Sequence, residues 1–372
     1  MKVHGRACVA DLLGDFIVYR NLVPLDPHLP GLPQLRDWFR LARDYVPRKS
    51  SPEYAQVVVE ILKAAQRRAD QPPLTRLVYI GDTRVNDGIA FSNLCRAGDW
   101  PGMAFICAED DRPARLEVVE GETGTLVFSN RWAGIDEFAG LCKSRRVPIG
   151  VGTAVVIDLD KTLLGARGRN DRVIDQVRVE AMQATLAGVL GDGFSAAAFA
   201  ADYAALNRPE YHAFTTDNQD YLAYICLILG TGIIRRDELI AAVRAGRMRG
   251  IADLIEYVDA RAEELPAKVR VVHEQVSASI ARGDPTPFKE FRRAEFRATV
   301  ARMGRLNDNA AVEELLREEI VITHEIMTAA ARWHDRGALL FGLSDKPDEA
   351  SVPEATDERL PVHRAVTHMV GG

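Results

Sequence analysis

The 372-residue sequence predicts an α/β protein with a doubly wound, mostly parallel sheet. Three short apolar runs, at residues 77–80, 154–157 and 339–343, each end in a polar turn, which is typical of buried parallel strands. Helical patterns at residues 53–68 and 135–145 lie between the predicted strands. Strands that alternate with helices favour a parallel sheet that is covered by helices.

The remaining elements divide the chain into two kinds of region. Further candidate strands occupy residues 7–12, 103–107 and 126–128. Residues 164–337 differ, because helical patterns follow one another there without strands, for example at residues 173–189, 237–245 and 313–333. We therefore expect an α/β core formed by residues 1–163 and 338–372, with an all-α domain inserted at residues 164–337.

Composition excludes several classes of protein. The chain has 47 Lys and Arg residues against 53 Asp and Glu residues, and this net charge of −6 argues against nucleic-acid binding. The five cysteines form no CxxC pair, so a disulfide framework and a structural zinc site are both disfavoured. No apolar run reaches the roughly 18 residues that span a bilayer. We expect a cytoplasmic protein without membrane partners.

The segment VVIDLDKT carries the strongest chemical signal. A predicted strand ends at Asp158, and Asp160 follows on the turn at the carboxyl end of that strand. Open α/β sheets bind their ligands at this end of the strands. Two carboxylates this close repel each other unless a proton or a cation lies between them, so the pair suits acid–base chemistry or a Mg²⁺ site. An aspartate can also act as a nucleophile.

These residues resemble the haloacid dehalogenase superfamily of phosphohydrolases. The first motif of that family, DxDxT, is matched by Asp158, Asp160 and Thr162. The resemblance implies that Asp158 attacks phosphorus and that Asp160 protonates the leaving group. The acidic fourth motif is matched by GDTRVND, with Asp82 and Asp87 as metal ligands, although four residues separate the two aspartates here.

The other two motifs of the family are also represented. The second motif is a strand that ends in Ser or Thr, and LLFGLSDKP supplies Ser344 in that position. The third motif is a lysine that offsets the negative charge. Lys49 and Lys346 both fit that role, and the sequence does not choose between them.

The motifs follow a rotated order along the chain. The lysine and fourth motifs precede the first and second, and only 28 residues follow Ser344. Two further strand–helix units of about 30 residues each need more chain than that. We therefore expect a circularly permuted, Rossmann-like core, in which the N-terminal segment completes the sheet. The alternative is two cores in tandem, in which Asp11 marks an inactive copy because Leu13 replaces its second aspartate.

The family resemblance implies a Mg²⁺-dependent phosphohydrolase, a phosphatase that hydrolyses phosphoric monoesters. Its substrate is expected to be a small phosphorylated metabolite, and the reaction passes through an aspartyl-phosphate. Asp82, Asp87, Asp158 and the backbone carbonyl of Asp160 are the expected metal ligands. The helical insertion corresponds to the cap that selects the substrate in this family.

Two arginines and two alternatives complete the sequence-based hypothesis. Arg167 and Arg169 directly follow the first motif, and arginine suits anion binding, so we expect both to contact the substrate.

One alternative function is that of a phosphotransferase or mutase of the same superfamily. The other is a non-catalytic binding protein that keeps the fold. The sequence leaves the substrate, the pathway and the oligomeric state open.

Overall fold

The computed structural model describes residues 1–372 as ten strands and fifteen α-helices joined by turns. The strands are β1 (Lys2–Ala7), β2 (Ile17–Val18), β3 (Arg76–Gly81), β4 (Gly102–Cys107), β5 (Leu116–Glu120), β6 (Thr125–Ser129), β7 (Thr153–Asp158), β8 (Ile322–Thr323), β9 (Leu339–Leu343) and β10 (Thr367–Gly371). The helices are α1 (Ala10–Leu13), α2 (Leu32–Leu35), α3 (Pro52–Arg68), α4 (Asn86–Gly98), α5 (Ile135–Ser144), α6 (Asp171–Leu190), α7 (Ala196–Leu206), α8 (His212–Thr215), α9 (Gln219–Thr231), α10 (Arg236–Arg244), α11 (Ile251–Asp259), α12 (Ala267–Ala281), α13 (Lys289–Ala301), α14 (Val312–Glu318) and α15 (His324–His334). None of the helices is long and apolar enough to cross a bilayer.

Seven strands form one sheet in the order β2-β9-β7-β3-β4-β6-β5. All neighbours in this sheet are parallel except the antiparallel pair β5 and β6. The predicted α/β class with a mostly parallel sheet is therefore confirmed. Strands that precede residue 150 and strands that follow it share this one sheet, so the chain does not contain two tandem cores with separate sheets. A second sheet of three strands has the order β1-β10-β8.

Helices pack on both faces of the large sheet. On one face, side chains of α3 and α4 form a core with alternate strand residues, among them Tyr79, Ile106 and Val156. On the other face, Phe105 packs against Phe138 of α5, with their ring centroids 5.5 Å apart. The central strands β4, β7 and β9 are buried along their whole length, which is why their interiors are apolar.

The chain forms two compact units. One contains Met1–Gln176 and Thr299–Gly372, and the other contains Val177–Ala298. The second unit holds no strand. It is shorter than the expected insertion at residues 164–337, because residues 164–176 and 299–337 belong to the unit that contains the sheet. Strand β8 also lies inside the region that was predicted to be all helical.

Two predicted elements are wrong. Residues 7–12 do not form a strand. Strand β1 ends at Ala7, and α1 begins at Ala10, where Asp11 in its first turn accepts a hydrogen bond from the Cys8 amide at 2.8 Å. The helix predicted at residues 313–333 is broken into α14, β8 and α15. The break coincides with the sequence Ile-Val-Ile-Thr at residues 320–323, whose β-branched side chains favour extended backbone.

Candidate functional site

Three carboxylates meet at the carboxyl edge of the large sheet. Asp158 is the last residue of β7, Asp82 directly follows the neighbouring strand β3, and Asp87 lies in the first turn of α4. Each residue offers one carboxylate oxygen, and these oxygens lie within 4.8 Å of one another. All three side chains are buried. The register of β3 against β7, with Ile80 opposite Ile157, brings the two strand ends together.

Lys49 neutralises part of this acidic cluster. Its Nζ lies 2.6 Å from Asp158 Oδ1 and 2.7 Å from Asp87 Oδ1, and the side chain is buried. Burial lowers the pKa of Lys49, but the two carboxylates outweigh that effect and hold the pKa well above its ordinary value. Lys49 therefore stays charged between the two aspartates.

Asp87 is held by the loop that precedes it. Its Oδ1 accepts from the Tyr79 hydroxyl at 2.9 Å. Its Oδ2 accepts from the backbone amides of Asp82 and Thr83 at 3.0 and 2.8 Å, and from Thr83 Oγ1 at 2.8 Å. This approach requires glycine at position 81, because a Cβ there would lie 2.6 Å from Asp87 Cγ. Gly81 therefore allows the loop to fold back against the strand end.

The three carboxylates have different pKa values. Burial, together with the charges of Asp158 and Asp87, raises the pKa of Asp82 to about 8, although Arg167 opposes the shift. Burial also raises the pKa of Asp158 to about 7, and Lys49 opposes that shift. Burial acts in the same direction on Asp87, but Lys49 and the hydrogen bonds from Thr83 hold its pKa below the ordinary value.

Three buried carboxylates thus face two cationic side chains, Lys49 and Arg167. Such a cluster holds a proton or attracts another cation, because an uncompensated buried charge is expensive. Carboxylate oxygens are the ligands that Mg²⁺ prefers, and Mg²⁺ sites in enzymes use one or two carboxylates together with substrate phosphate. The donor set therefore fits a divalent cation of this kind.

Thr162 and Arg167 contact the acidic cluster directly. Thr162 Oγ1 donates to Asp158 Oδ2 at 3.0 Å and so orients the carboxylate, while its contact with a substrate stays a prediction. Arg167 Nε donates to Asp82 Oδ2, and about a third of the arginine side chain is exposed. Arg167 is the one predicted substrate-binding residue that both contacts the cluster and reaches solvent.

Arg169 does not reach the cluster. Its guanidinium pairs with Glu109 at 2.7 Å and with Glu325 at 2.9 Å, and it donates to the backbone oxygen of Val370 at 3.2 Å. The side chain is only 2% exposed. Two carboxylates of the protein already bind the guanidinium, and contact of Arg169 with a substrate stays a prediction.

A second group of predicted residues lies beside the carboxylate cluster. Ser344 directly follows β9, and its Oγ accepts from the Lys346 amide at 3.1 Å. Lys346 Nζ lies 3.8 Å from Asp160 Oδ1. The Asp160 carboxylate is not part of the group of three. Of the two candidate lysines, Lys49 contacts the predicted nucleophile and Lys346 contacts the predicted acid.

Sequence reasoning missed two residues of the site, Tyr79 and Thr83. Both hold the Asp87 carboxylate in place. Thr83 lies inside the acidic motif GDTRVND, directly after Asp82, so its position in the motif could have identified it as part of the site. Tyr79 lies within the apolar run of β3, where a phenol hydroxyl has the same pattern as any core aromatic residue.

Comparisons of the chain with protein-family models, curated proteins and solved structures find no match.

Proposed function

We propose that the chain is a divalent-cation-dependent phosphohydrolase that uses Asp158 as its nucleophile. The observation that carries the proposal is the arrangement around Asp158: two further carboxylates within 4.8 Å and the Lys49 ammonium at 2.6 Å, at the carboxyl ends of adjacent parallel strands. A phosphoryl group brings negative charge, so a nucleophilic carboxylate needs cations beside it.

The nucleophile is oriented on both oxygens. Lys49 binds Oδ1 and Thr162 binds Oδ2, so the carboxylate has little rotational freedom. Such pre-organisation favours attack on phosphorus because the reacting atoms need no rearrangement. Asp82, Asp87 and Asp158 would hold Mg²⁺. The ion, when bound, offsets the charge of the phosphoryl oxygens.

Asp160 is suited to the proton transfers of the reaction. It lies two residues beyond Asp158, is about a quarter exposed and has Lys346 beside it. A carboxyl in this position donates a proton to the leaving alcohol and later accepts one from water. This pair of aspartates supports hydrolysis over a role in binding alone.

The fold supports the family resemblance at the level of strand order. Strands β9, β7 and β3 are consecutive neighbours, and their carboxyl ends carry Ser344, Asp158 and Asp82. We interpret the unit that contains the sheet as a permuted core of the haloacid dehalogenase type. In this interpretation the helical unit Val177–Ala298 is the cap, and the substrate is a small phosphorylated metabolite.

The test is phosphate release from p-nitrophenyl phosphate and a panel of phosphoesters in the presence of Mg²⁺. Asp158→Asn removes the nucleophile and is expected to lower turnover about 10⁴-fold or more. Asp136→Asn is the matched control, because Asp136 is a surface aspartate, 68% exposed, that pairs with Arg332. This control is expected to retain wild-type turnover.

Two results would contradict the proposal. One is a wild-type protein that releases no phosphate from any ester of the panel. The other is turnover that survives Asp158→Asn at the level of Asp136→Asn. The first result would favour the alternative of a non-catalytic binding protein, and the second would mean that Asp158 is not the nucleophile.

A further inference from the structure

A small cavity lies beside the predicted acid in the unit that contains the sheet. Its volume is about 20 Å³, and its lining residues include Tyr19, Asp160, Ser344 and Lys346 together with apolar residues such as Leu164 and Ile320. A cavity of about 10–15 Å³ on this measure holds one water molecule if two to four polar groups surround it. The cavity therefore has the size and the lining of a single water site.

Tyr19 lies at this edge of the sheet and has a buried hydroxyl without a partner. It directly follows β2, whose Val18 pairs with Leu343 next to Ser344, so its position in the sheet places it at the same edge as the predicted catalytic residues. The side chain is 2% exposed, and its hydroxyl has no hydrogen-bond partner within the protein. A buried hydroxyl without a partner is rare in folded proteins and points to a bound water or ligand.

The hydroxyl of Tyr19 remains a proton donor. Burial, together with the charges of Asp348 and Asp160, raises the pKa of Tyr19 above its ordinary value. The phenol is therefore neutral, and it can donate to an oxygen atom in the cavity.

We propose that the cavity binds the hydrolytic water, with Tyr19 as a positioning residue that donates a hydrogen bond to the oxygen of that water. This inference rests on the proposed phosphohydrolase function. In the second half of that reaction, the water oxygen forms a bond to phosphorus while the bond from phosphorus to the Asp158 oxygen breaks. The electron pair of the broken bond returns to the Asp158 carboxylate. One proton of the water passes to Asp160, and inorganic phosphate leaves.

Tyr19 contributes to this step by orientation. Its hydroxyl binds one lone pair of the water and Asp160 accepts one hydrogen, so a second lone pair remains for the attack on phosphorus. Removal of the hydroxyl is expected to slow hydrolysis of the aspartyl-phosphate about tenfold. Formation of the intermediate from p-nitrophenyl phosphate changes less, because p-nitrophenolate leaves without a proton.

The experiment compares the full-length wild-type chain with Tyr19→Phe in pre-steady-state assays with p-nitrophenyl phosphate and Mg²⁺. Tyr19→Phe is expected to show a burst of p-nitrophenol, a steady-state rate about tenfold lower and an increased level of phosphorylated Asp158 in acid-quenched samples. The substitution removes only an unpartnered hydroxyl, so the fold is expected to persist. A merely structural role would lower the active fraction without accumulation of the intermediate.

Tyr45→Phe is the control. Tyr45 is 41% exposed and does not line the cavity. This variant is expected to match the wild type in rate and in phosphoenzyme level. A crystal structure of the wild type is expected to show an ordered water on Tyr19 Oη.

The outcomes separate the two proposals. Wild-type turnover that depends on Asp158, together with unchanged rate and phosphoenzyme level in Tyr19→Phe, would overturn the role of Tyr19 alone. A wild type without turnover that depends on Asp158 would overturn the phosphohydrolase function, and this inference with it. A dry cavity in the crystal structure would also overturn the water site.

Discussion

The two units of the chain each contain a buried cluster of charged side chains, and the clusters are balanced differently. In the helical unit, Arg292 donates to Asp220 Oδ2 through Nε at 2.8 Å and Nη2 at 2.6 Å. Its Nη1 binds Glu295 at 2.6 Å, and Arg178 binds the same glutamate at 3.2 Å. Each carboxylate in this cluster is met by an arginine.

The acidic cluster of the other unit lacks this balance. Asp82, Asp87 and Asp158 share Lys49 and Arg167, so one carboxylate is in excess. A matched network is stable on its own, whereas an excess of buried negative charge needs a proton or a cation. The comparison separates a cluster in which arginines balance the carboxylates from one that has room for a further cation.

The largest expected effect comes from removing the central cation of each cluster. Lys49→Met and Arg292→Met each leave buried carboxylates uncompensated and are expected to destabilise the protein by about 3–5 kcal/mol without Mg²⁺. Saturating Mg²⁺ should restore much of the loss in Lys49→Met, because the ion replaces the missing positive charge. In Arg292→Met, Mg²⁺ should raise the free energy of unfolding only by the amount by which it raises that of the wild type. Urea unfolding with EDTA or with Mg²⁺ measures both.

An equal gain in the free energy of unfolding on addition of Mg²⁺ in the two variants would contradict this distinction between the clusters. Such a result would mean that the acidic cluster does not exchange the ammonium for a metal ion, and that both clusters serve only to hold the fold.

A smaller effect is expected at the glycine that makes room for Asp87. The new Cβ of Gly81→Ala would lie 2.6 Å from Asp87 Cγ, so the carboxylate must move away from the amides of the loop. We expect a loss of about 1–3 kcal/mol in the free energy of unfolding, together with weaker Mg²⁺ binding. Calorimetric titration with Mg²⁺ and urea unfolding check these outcomes.

Gly88→Ala, in the helix α4 that carries Asp87, is the control for that substitution. Its Cβ would meet nothing closer than 3.9 Å, and alanine favours a helix, so stability is expected to hold or rise. If Gly81→Ala binds Mg²⁺ as tightly as Gly88→Ala, the position of Asp87 is not important for the site.

The pH dependence of stability sharpens the comparison further. Because the pKa of folded Asp82 is raised to about 8, the folded state retains a proton that the unfolded chain releases. The stability of the metal-free protein should therefore fall by more than about 1 kcal/mol as the pH rises from about 4 to 8. Asp82→Asn removes this titration and should make the fall smaller, while the titration of Asp158, whose pKa is raised to about 7, remains. Urea unfolding in EDTA measures both profiles. An equal loss of stability in the wild type and in Asp82→Asn over this pH range would contradict the role of Asp82.

The sequence predicts the residues of the site better than their surroundings. Asp158 and Asp82 are recognisable because each follows an apolar run at a strand end, where ligands bind in open sheets. The same logic identified Ser344. The sequence did not choose between Lys49 and Lys346, because that choice depends on which segment folds over the β7 end, and no local pattern encodes it.

Other features of the structure depend on contacts that no local pattern encodes. Tyr19 follows a strand of only two residues, and the cavity that it lines is formed by residues far apart in the chain. Arg169 lies beside the first motif, but its partners Glu109 and Glu325 are distant in sequence. The break between α14 and α15 depends on pairing of Thr323 with Val370, which helical periodicity cannot reveal.

The central claim is that the excess carboxylate of the sheet unit serves a divalent cation beside Asp158. Crystals of the full chain grown with Mn²⁺ test it most directly, because the anomalous signal locates the metal. The account predicts one strong peak bounded by carboxylate oxygens of Asp82, Asp87 and Asp158. Crystals that contain Mn²⁺ at a concentration that supports turnover, but show no peak there and retain the Lys49 contact, would contradict it.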